Sequence, residues 1–330
     1  MWYVVLAVGG SYVTTSLLLT KFPNLLPSFV KNRRGWQNGI NFPTNIHISH
    51  RGGAGEFYEN TLRAFKGSKD LGTQMLELDV HITSDDHVIV SHDQSLLRTT
   101  GQNVNIKETK FSDLPKIKPE VPLDFMYQQS FSSDDRTDEH ISIPTLEDTF
   151  RAFPDLSINI DIKKYDETLI EKVNKLVRIY DRENLTIWGN FSAKTTDKCY
   201  ETNSNIGLLF SINRVLLLLV YFYTGLLPYM TFKETHLEIP MPLTAYRKFG
   251  PEITLKYKFF AHAADFLLMR PWLFEHLSKR GIQTYVWVLN TEEDIDRAFK
   301  LGVTGVMTDY PSLLRDYLQR NPQYVTKKKR

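Results

Sequence analysis

Short apolar runs alternate with amphipathic stretches from His47 onward. "HISH" reads as a strand and residues 60–71 as an amphipathic helix, while "MLELDVHIT" alternates strictly, with the period of a strand. "HVIVSHD" follows too closely for a crossover helix and is expected to fold back as a tight β–β step. After a polar, Pro/Ser/Asp-rich stretch over residues 113–140, which reads as loop, "TLEDTFRAF" is expected as a short helix with Thr145 and Asp148 as a capping box. The strands "SINIDIK", "LTIWGN", "IGLLFSI", "DFLLM", "TYVWVLN" and "GVMTD" follow, separated by helical patterns at 167–180, 196–201, "WLFEHLSKRG" and "TEEDIDRAFKLG". Eight strands joined through helices, plus one β–β step, predict a closed parallel barrel over residues 46–318.

Two segments break the rhythm. Residues 2–20 carry no charged side chain, enough to span roughly 28 Å of hydrocarbon. The stretch opens "MWYVV" and ends "LLLTKFP", unlike a cleaved signal, so residues 1–21 are expected to be a single-pass membrane anchor. Lys21, Lys31, Arg33 and Arg34 follow, mostly in a basic linker over 22–45, which places the barrel on the cytosolic side. The second segment, 214–230, contains "VLLLLVYFYTGLLPY". Its apolar part before Pro228 is short for a crossing, and a single crossing would cut the barrel in half. It is expected as an apolar insertion in a C-terminal-face loop, dipping into a membrane surface or covering the site; a helix buried in the barrel's outer ring is the alternative. The basic tail, 319–330, ends "VTKKKR"; it suits anionic head groups or an address for retrieval to the endoplasmic reticulum, with a solvated tail as the plain reading. A net charge of +2 gives no reason to expect nucleic acid, and the single cysteine, Cys199, allows no internal disulfide and reads as inert.

Residues two apart on a strand share a face. Glu77 and Asp79 in "ELD", and Asp161 and Lys163 in "DIK", therefore point into the barrel near the rim where catalytic groups collect. Three converging carboxylates, Glu77, Asp79 and Asp161, are tolerable in a barrel when a divalent cation lies between them, and all-oxygen ligation suits Mg2+ or Ca2+. His50 and His92 end neighbouring strands and suit proton transfer. Arg51 offers a bidentate fork for phosphate oxygens, Lys163 a point charge, and Gly52, Gly53 and Gly55 a close backbone approach to an anion. Trp287 and Asn290 are expected at the rim, touching substrate, while His47, His81 and His87 are expected to be structural or exposed. The set describes phosphate ester chemistry.

"HISHRGGAGEFYENT", "LELDVHITSDDHVIVSHD", "NIDIK", "VWVLN" and "GVTGVMTDYP" resemble, in order, the glycerophosphodiester phosphodiesterase family, whose fold is a TIM (β/α)8 barrel. The anchor and the apolar segment resemble its membrane-bound lysophospholipase D branch. The resemblance implies removal of head groups from lysophosphatidylcholine, lysophosphatidylethanolamine or the N-acyl form of the latter, leaving lysophosphatidic acid. It makes His50 and His92 the acid–base pair and Arg51 a phosphate ligand with Lys163 beside the phosphate, while Trp287, read from its strand end alone, is either a substrate contact or plain packing. Glu77, Asp79 and Asp161 would hold the cation, joined in some states by His92. Two positions depart from the pattern: Asp161 stands where Glu is common, and Tyr58 where a proline precedes "ENT". Glu59 is read either as a further group at the metal or as a helix-start residue. A hydrolase of water-soluble glycerophosphodiesters and a non-catalytic membrane scaffold are the competing readings. The expected location is a membrane of the endoplasmic reticulum or perinuclear region.

Overall fold

The computed structural model describes residues 2–26, 44, 46–124, 126–249 and 254–326. Helix α1, Trp2–Lys21, comes first. The barrel opens with β1, His47–Ser49, α2, Leu62–Asp70, β2, Met75–Ile82, and β3, Val88–Val90. A hairpin of β4, Glu120–Pro122, and β5, Ser130–Ser132, precedes α3, Leu146–Ala152. Then come β6, Ser157–Ile162, α4, Glu167–Ile179, β7, Thr186–Gly189, α5, Ala193–Thr202, and β8, Gly207–Leu208. Helix α6, Ile212–Thr224, leads to β9, His236–Pro240, followed by α7, Leu255–Leu268, and α8, Pro271–Lys279. The chain finishes with β10, Gln283–Trp287, α9, Glu292–Leu301, β11, Gly305–Thr308, and α10, Pro311–Arg320.

Eight strands pair in parallel in the order β8-β7-β6-β2-β1-β11-β10-β9, and a parallel bridge between Leu209 and His236 closes the ring. β3 lies antiparallel on β2, with Val90 opposite Val80, as the tight β–β step requires. Period two decides the faces. Leu76, Leu78 and Val80 pack outward with Ile158, Ile160 and Ile162 against Phe150, Ile170 and Val173 of the helices. Glu77, Asp79, Asn159 and Asp161 are thereby turned into the barrel, above an apolar floor of Ile48, Met75, Ile187, Tyr285 and Met307. Each outward aliphatic side chain fully buried this way contributes about 1.5–3 kcal/mol, which sets the register that aims the acids inward. The capping box at Thr145 and Asp148 is present as expected.

The structure revises two expectations. "DFLLM" is no strand: it lies in and just beyond α7, and the sixth barrel strand is β9, "HLEIP". A short run of apolar residues cannot by itself separate a strand from a helix segment. The apolar segment at 214–230 is no insertion; α6 is the crossover helix joining β8 to β9 in the outer ring, with Leu218 and Leu227 in the core and Leu216, Val220 and Tyr223 exposed. Among the described residues no helix is long and apolar enough to cross a membrane. The second half of α1 docks on the barrel. Tyr12 Oη donates to the Thr224 carbonyl at 2.6 Å, and His276 Nδ1 and Lys279 Nζ each donate at 2.9 Å to the carbonyls of Thr20 and Lys21. Lys31, Arg33 and Arg34 of the linker, and the lysines and arginine that end the tail, lie outside the described residues.

The polar stretch after β3 is more ordered than its composition suggests. Tyr58 sits against Ile117, Val121 and Phe131, and its hydroxyl donates to the Pro119 carbonyl at 2.8 Å and accepts from Ser133 N at 3.1 Å. The residue that departs from the family pattern is thus the pin that fastens the β4–β5 excursion over the strand ends.

Candidate active site

β1 ends at Ser49, and the chain turns at once. Arg51 takes φ +49°, Gly52 +78° and Gly53 +90°. A Cβ on Gly52 would lie 2.6 Å from the Phe65 ring, so the turn packs down on α2 only with glycine there. This geometry aims the Arg51 backbone N–H at Glu77 Oε2, 2.9 Å away, and buries the guanidinium among acids. Arg51 Nη1 lies 3.0 Å from both Glu59 Oε1 and Asp124 Oδ2, and Nε lies 3.6 Å from Asp79 Oδ2.

His50 is buried and donates from Nδ1 to Asp309 Oδ1 at 2.7 Å, which leaves Nε2 on the side of Glu77, 4.0 Å from Oε2. Asp309, at the end of β11, accepts with its other oxygen from Asn290 Nδ2 at 2.8 Å. Burial lowers the His50 pKa below its ordinary value, with Asp309 pulling the other way. His92 repeats the arrangement: Nδ1 donates to Asp93 Oδ1 at 2.7 Å. Burial opposes ionisation of Asp93, but His92 and Arg98 outweigh it and hold its carboxyl at about 2.

On β2 and β6, Asp79 and Asp161 stand opposite each other in register. Lys163 Nζ bridges them, 2.7 Å from Asp79 Oδ1 and 2.7 Å from Asp161 Oδ2. Asn60 donates to Asp79 Oδ2 at 3.0 Å and Asn190 to Asp161 Oδ1 at 2.7 Å. Despite burial, Lys163 and Arg51 hold Asp79 well below the usual carboxylate range. Glu77 goes the other way: burial, and then Asp79, push it well above. Glu59 is bound by two arginines, with Arg98 Nη2 at 2.7 Å and Arg51 Nη1 at 3.0 Å, which overcome its burial and hold its carboxyl at about 2. That contact explains Glu59 better than a helix-start role.

Seven carboxylates (Glu59, Glu77, Asp79, Asp93, Asp124, Asp161 and Asp309) face three fixed cations, Arg51, Arg98 and Lys163. Glu77 is the telling member. It is buried and accepts the Arg51 backbone N–H, while burial disfavours its charged form, the situation in which a bound cation compensates a carboxylate. The donor set therefore fits a hard divalent cation. Glu77, Asp79 and Asp161 share the interior, yet Lys163 lies between the two aspartates. Among the described residues, His92, Asp93 and Asp124 are a group whose ligand atoms already lie within 4.8 Å of one another.

The chain matches the glycerophosphoryl diester phosphodiesterase family over residues 50–313. It belongs to that family. Lysophospholipase D GDPD1 of Rattus norvegicus is 48% identical over 96% of each chain. Lysophospholipase D GDPD3 of Homo sapiens is 35% identical, over 97% of this chain and 96% of its own. The crystal structure of glycerophosphodiester phosphodiesterase from Agrobacterium tumefaciens shares the fold, with a TM-score of 0.58 and 19% identity over 82% of this chain and 99% of that one. As a member of the family, the chain is a phosphoric diester hydrolase of the divalent-cation-dependent kind.

Within this phosphodiesterase, several residues escape a reading of the sequence. Asp309 and Asp93 orient the histidines, and Arg98 and Asp124 complete the cationic and acidic pairs around Arg51. Asp93 adjoins His92 as a His-Asp pair at a strand end and Asp309 lies at the end of a strand, whereas Arg98 and Asp124 carried no usable signal. Glu238 on β9 is buried one layer down, where it accepts from Asn159 Nδ2; burial, and then the neighbouring acids, push its carboxyl up to about 7. It was hidden because its strand was. Trp287 ends β10 at the rim, with its ring 5.8 Å from Phe191. His47 and His81 are buried and His87 is exposed. Burial pushes the Cys199 thiol up, consistent with an inert cysteine.

Proposed function

We propose that the chain acts as a lysophospholipase D, cleaving the bond between phosphate and head group in monoacyl phospholipids and leaving lysophosphatidic acid. The observation that carries this reading is the matched pair of histidines. Each gives its Nδ1 proton to a carboxylate, and His50 is thereby left with Nε2 beside the acidic centre. His50, kept neutral by burial, takes the proton of the attacking oxygen. His92, nearer solvent, returns one to the departing head-group alcohol. Arg51 binds a non-bridging phosphate oxygen once Asp124 yields its place, and Lys163 neutralises charge on the same side. A divalent cation, Mg2+ or Ca2+, would be held by Glu77, Asp79 and Asp161, with His92 as a further candidate, and supplies charge neutralisation to the phosphate when bound. The attacker is either the free glycerol hydroxyl of the lysolipid, giving a cyclic phosphate, or water.

A lipid rather than a water-soluble diester is favoured by the relatives' names and by the surface. Tyr223 of α6 donates to the Leu267 carbonyl of α7 at 2.9 Å, and Tyr12 of α1 reaches the end of α6, so the three helices adjoin. They expose Val13, Leu17, Leu216, Val220, Phe259 and Phe266 among others, a patch of the kind that meets membranes. This flank, with α1 as the anchoring element, would hold the barrel on a cytosol-facing internal membrane. The test is head-group release from lysophosphatidylcholine, lysophosphatidylethanolamine and glycerophosphocholine after chelation, with Mg2+ or Ca2+ restored. Faster glycerophosphocholine turnover, or undiminished lysolipid turnover by His50→Ala, defeats the reading. Isolating the first product decides between cyclic and direct routes.

A further inference from the structure

A cavity of about 260 Å3 opens at the rim between the tip of the β4–β5 hairpin and the ends of β9 and β10. Met126 and Tyr127 form one wall, and Ala245, Trp287 and Val288 the other. Its inner end touches the catalytic apparatus: Asn290 Nδ2 contacts Met126 Sδ at 3.2 Å and donates to Asp309, the partner of His50. Its outer end passes the half-exposed Arg247, which is paired to Asp294 at 3.0 Å. We propose that this groove receives the proximal methylenes of the single acyl chain of a monoacyl phosphodiester. The assignment rests on the lysophospholipid reading and says where that substrate's tail lies.

Three observations choose the tail over the head group. Most of the exposed lining area is apolar, although Gln129, Thr244 and Asn290 also face the groove. The lining carboxylate, Asp294, is already committed to Arg247 and to Thr291, leaving no unpaired anion among the described lining residues for a cationic head. The wall turn Pro242–Ala245 is also tied to α7, through Leu243 N and Asp265 Oδ1 at 3.4 Å, so the groove leads toward the helix that exposes Leu255, Phe259 and Phe266. A chain leaving the groove there meets the same apolar flank that faces the bilayer. Size adds selectivity. The volume lies just under the roughly 300–1,000 Å3 of a small-molecule pocket, room for part of one chain and not for two. A diacyl lipid would have to leave its second chain in water.

The experiment uses the full chain and monoacyl phosphocholines short enough to remain monomeric, with glycerophosphocholine as the acyl-free comparator. Each methylene buried in the groove is worth about 0.8 kcal/mol, or about a fourfold rise in kcat/KM, until the tail outgrows the cavity. Ala245→Trp fills the groove and should flatten that dependence while glycerophosphocholine turnover changes far less. Tyr127→Asp, at an exposed position that tolerates a charge, should flatten it as well without threatening the fold. A wild-type slope retained in both variants overturns the groove assignment alone. So does an unchanged slope with an altered preference between choline and ethanolamine, which would make the groove a head-group site. If the unmodified enzyme turns over no monoacyl diester, the lysophospholipid reading fails and the assignment falls with it.

Discussion

Asp309→Asn should invert the proton arrangement of His50 without moving it. Asn290 is fixed by two donors on its Oδ1, the Asp309 backbone N–H at 2.9 Å and the Thr308 hydroxyl at 3.1 Å. Its Nδ2 must therefore point at residue 309. An asparagine there has to turn its oxygen toward that Nδ2 and its own amide N–H toward His50. His50 Nδ1 then becomes the acceptor and the proton moves to Nε2, the wrong tautomer for a base. The charge is lost too. A full charge 2.7 Å away at an effective dielectric of about 20 gives roughly 6 kcal/mol as a ceiling. The carboxylate acts on the imidazolium that forms as His50 takes the proton, so losing about 3–5 kcal/mol of that stabilisation should lower kcat by roughly two to four orders of magnitude. The assay is head-group release against pH. Burial already depresses His50 and Asp309 opposes it, so removing the carboxylate lowers the pKa further. The acid limb of kcat/KM should move to lower pH while the plateau collapses. A variant that keeps kcat within tenfold, or whose acid limb moves upward, refutes the role given to Asp309.

Other perturbations bear on the rest of the site. Glu59 titrates at about 2 in the fold against 4.5 ordinarily. Its depressed pKa gives stability that is complete above about 4.5 and disappears as pH falls through about 2, on the order of 3 kcal/mol. The difference in urea stability between wild type and Glu59→Gln should narrow over that window, and a gap independent of pH would count against the ion pairs. Asp124→Asn removes the carboxylate that competes for Arg51 and should strengthen inhibition by inorganic phosphate several-fold; weaker inhibition would mean that Asp124 positions the arginine instead. Tyr58→Phe loses the hydroxyl contacts to Pro119 and Ser133, about 1–2 kcal/mol of local stability. Hydrogen exchange should quicken around β4 and β5 while the barrel strands stay protected, and uniform loosening would contradict a local pin.

What could be read from the chain tracks how local each cause is. "ELD" and "DIK" declared their faces because a strand's period is two and the intervening Leu78 and Ile162 had to pack outward. The helix start at Thr145 was equally visible, since a cap and its partner lie three residues apart. β9 was not. Five residues with an acid inside and a proline at the end carry a weak strand signal, and the stronger apolar run in α7 drew the assignment. The same loss of locality hides the acids that steer the site. Asp124 lies in a polar stretch where another aspartate means nothing until Tyr58 fastens that stretch across the barrel mouth. Asp309 is 259 residues from the histidine it orients, and only the closure of β11 against β1 joins them. The first ring of chemistry is written in strand periodicity, and the second ring, which sets tautomer and charge, exists only after the cylinder closes. Substitutions there should change pH profiles and tautomers while the recognisable motifs stay intact, so motif integrity alone is a poor guide to whether a member of this family is active.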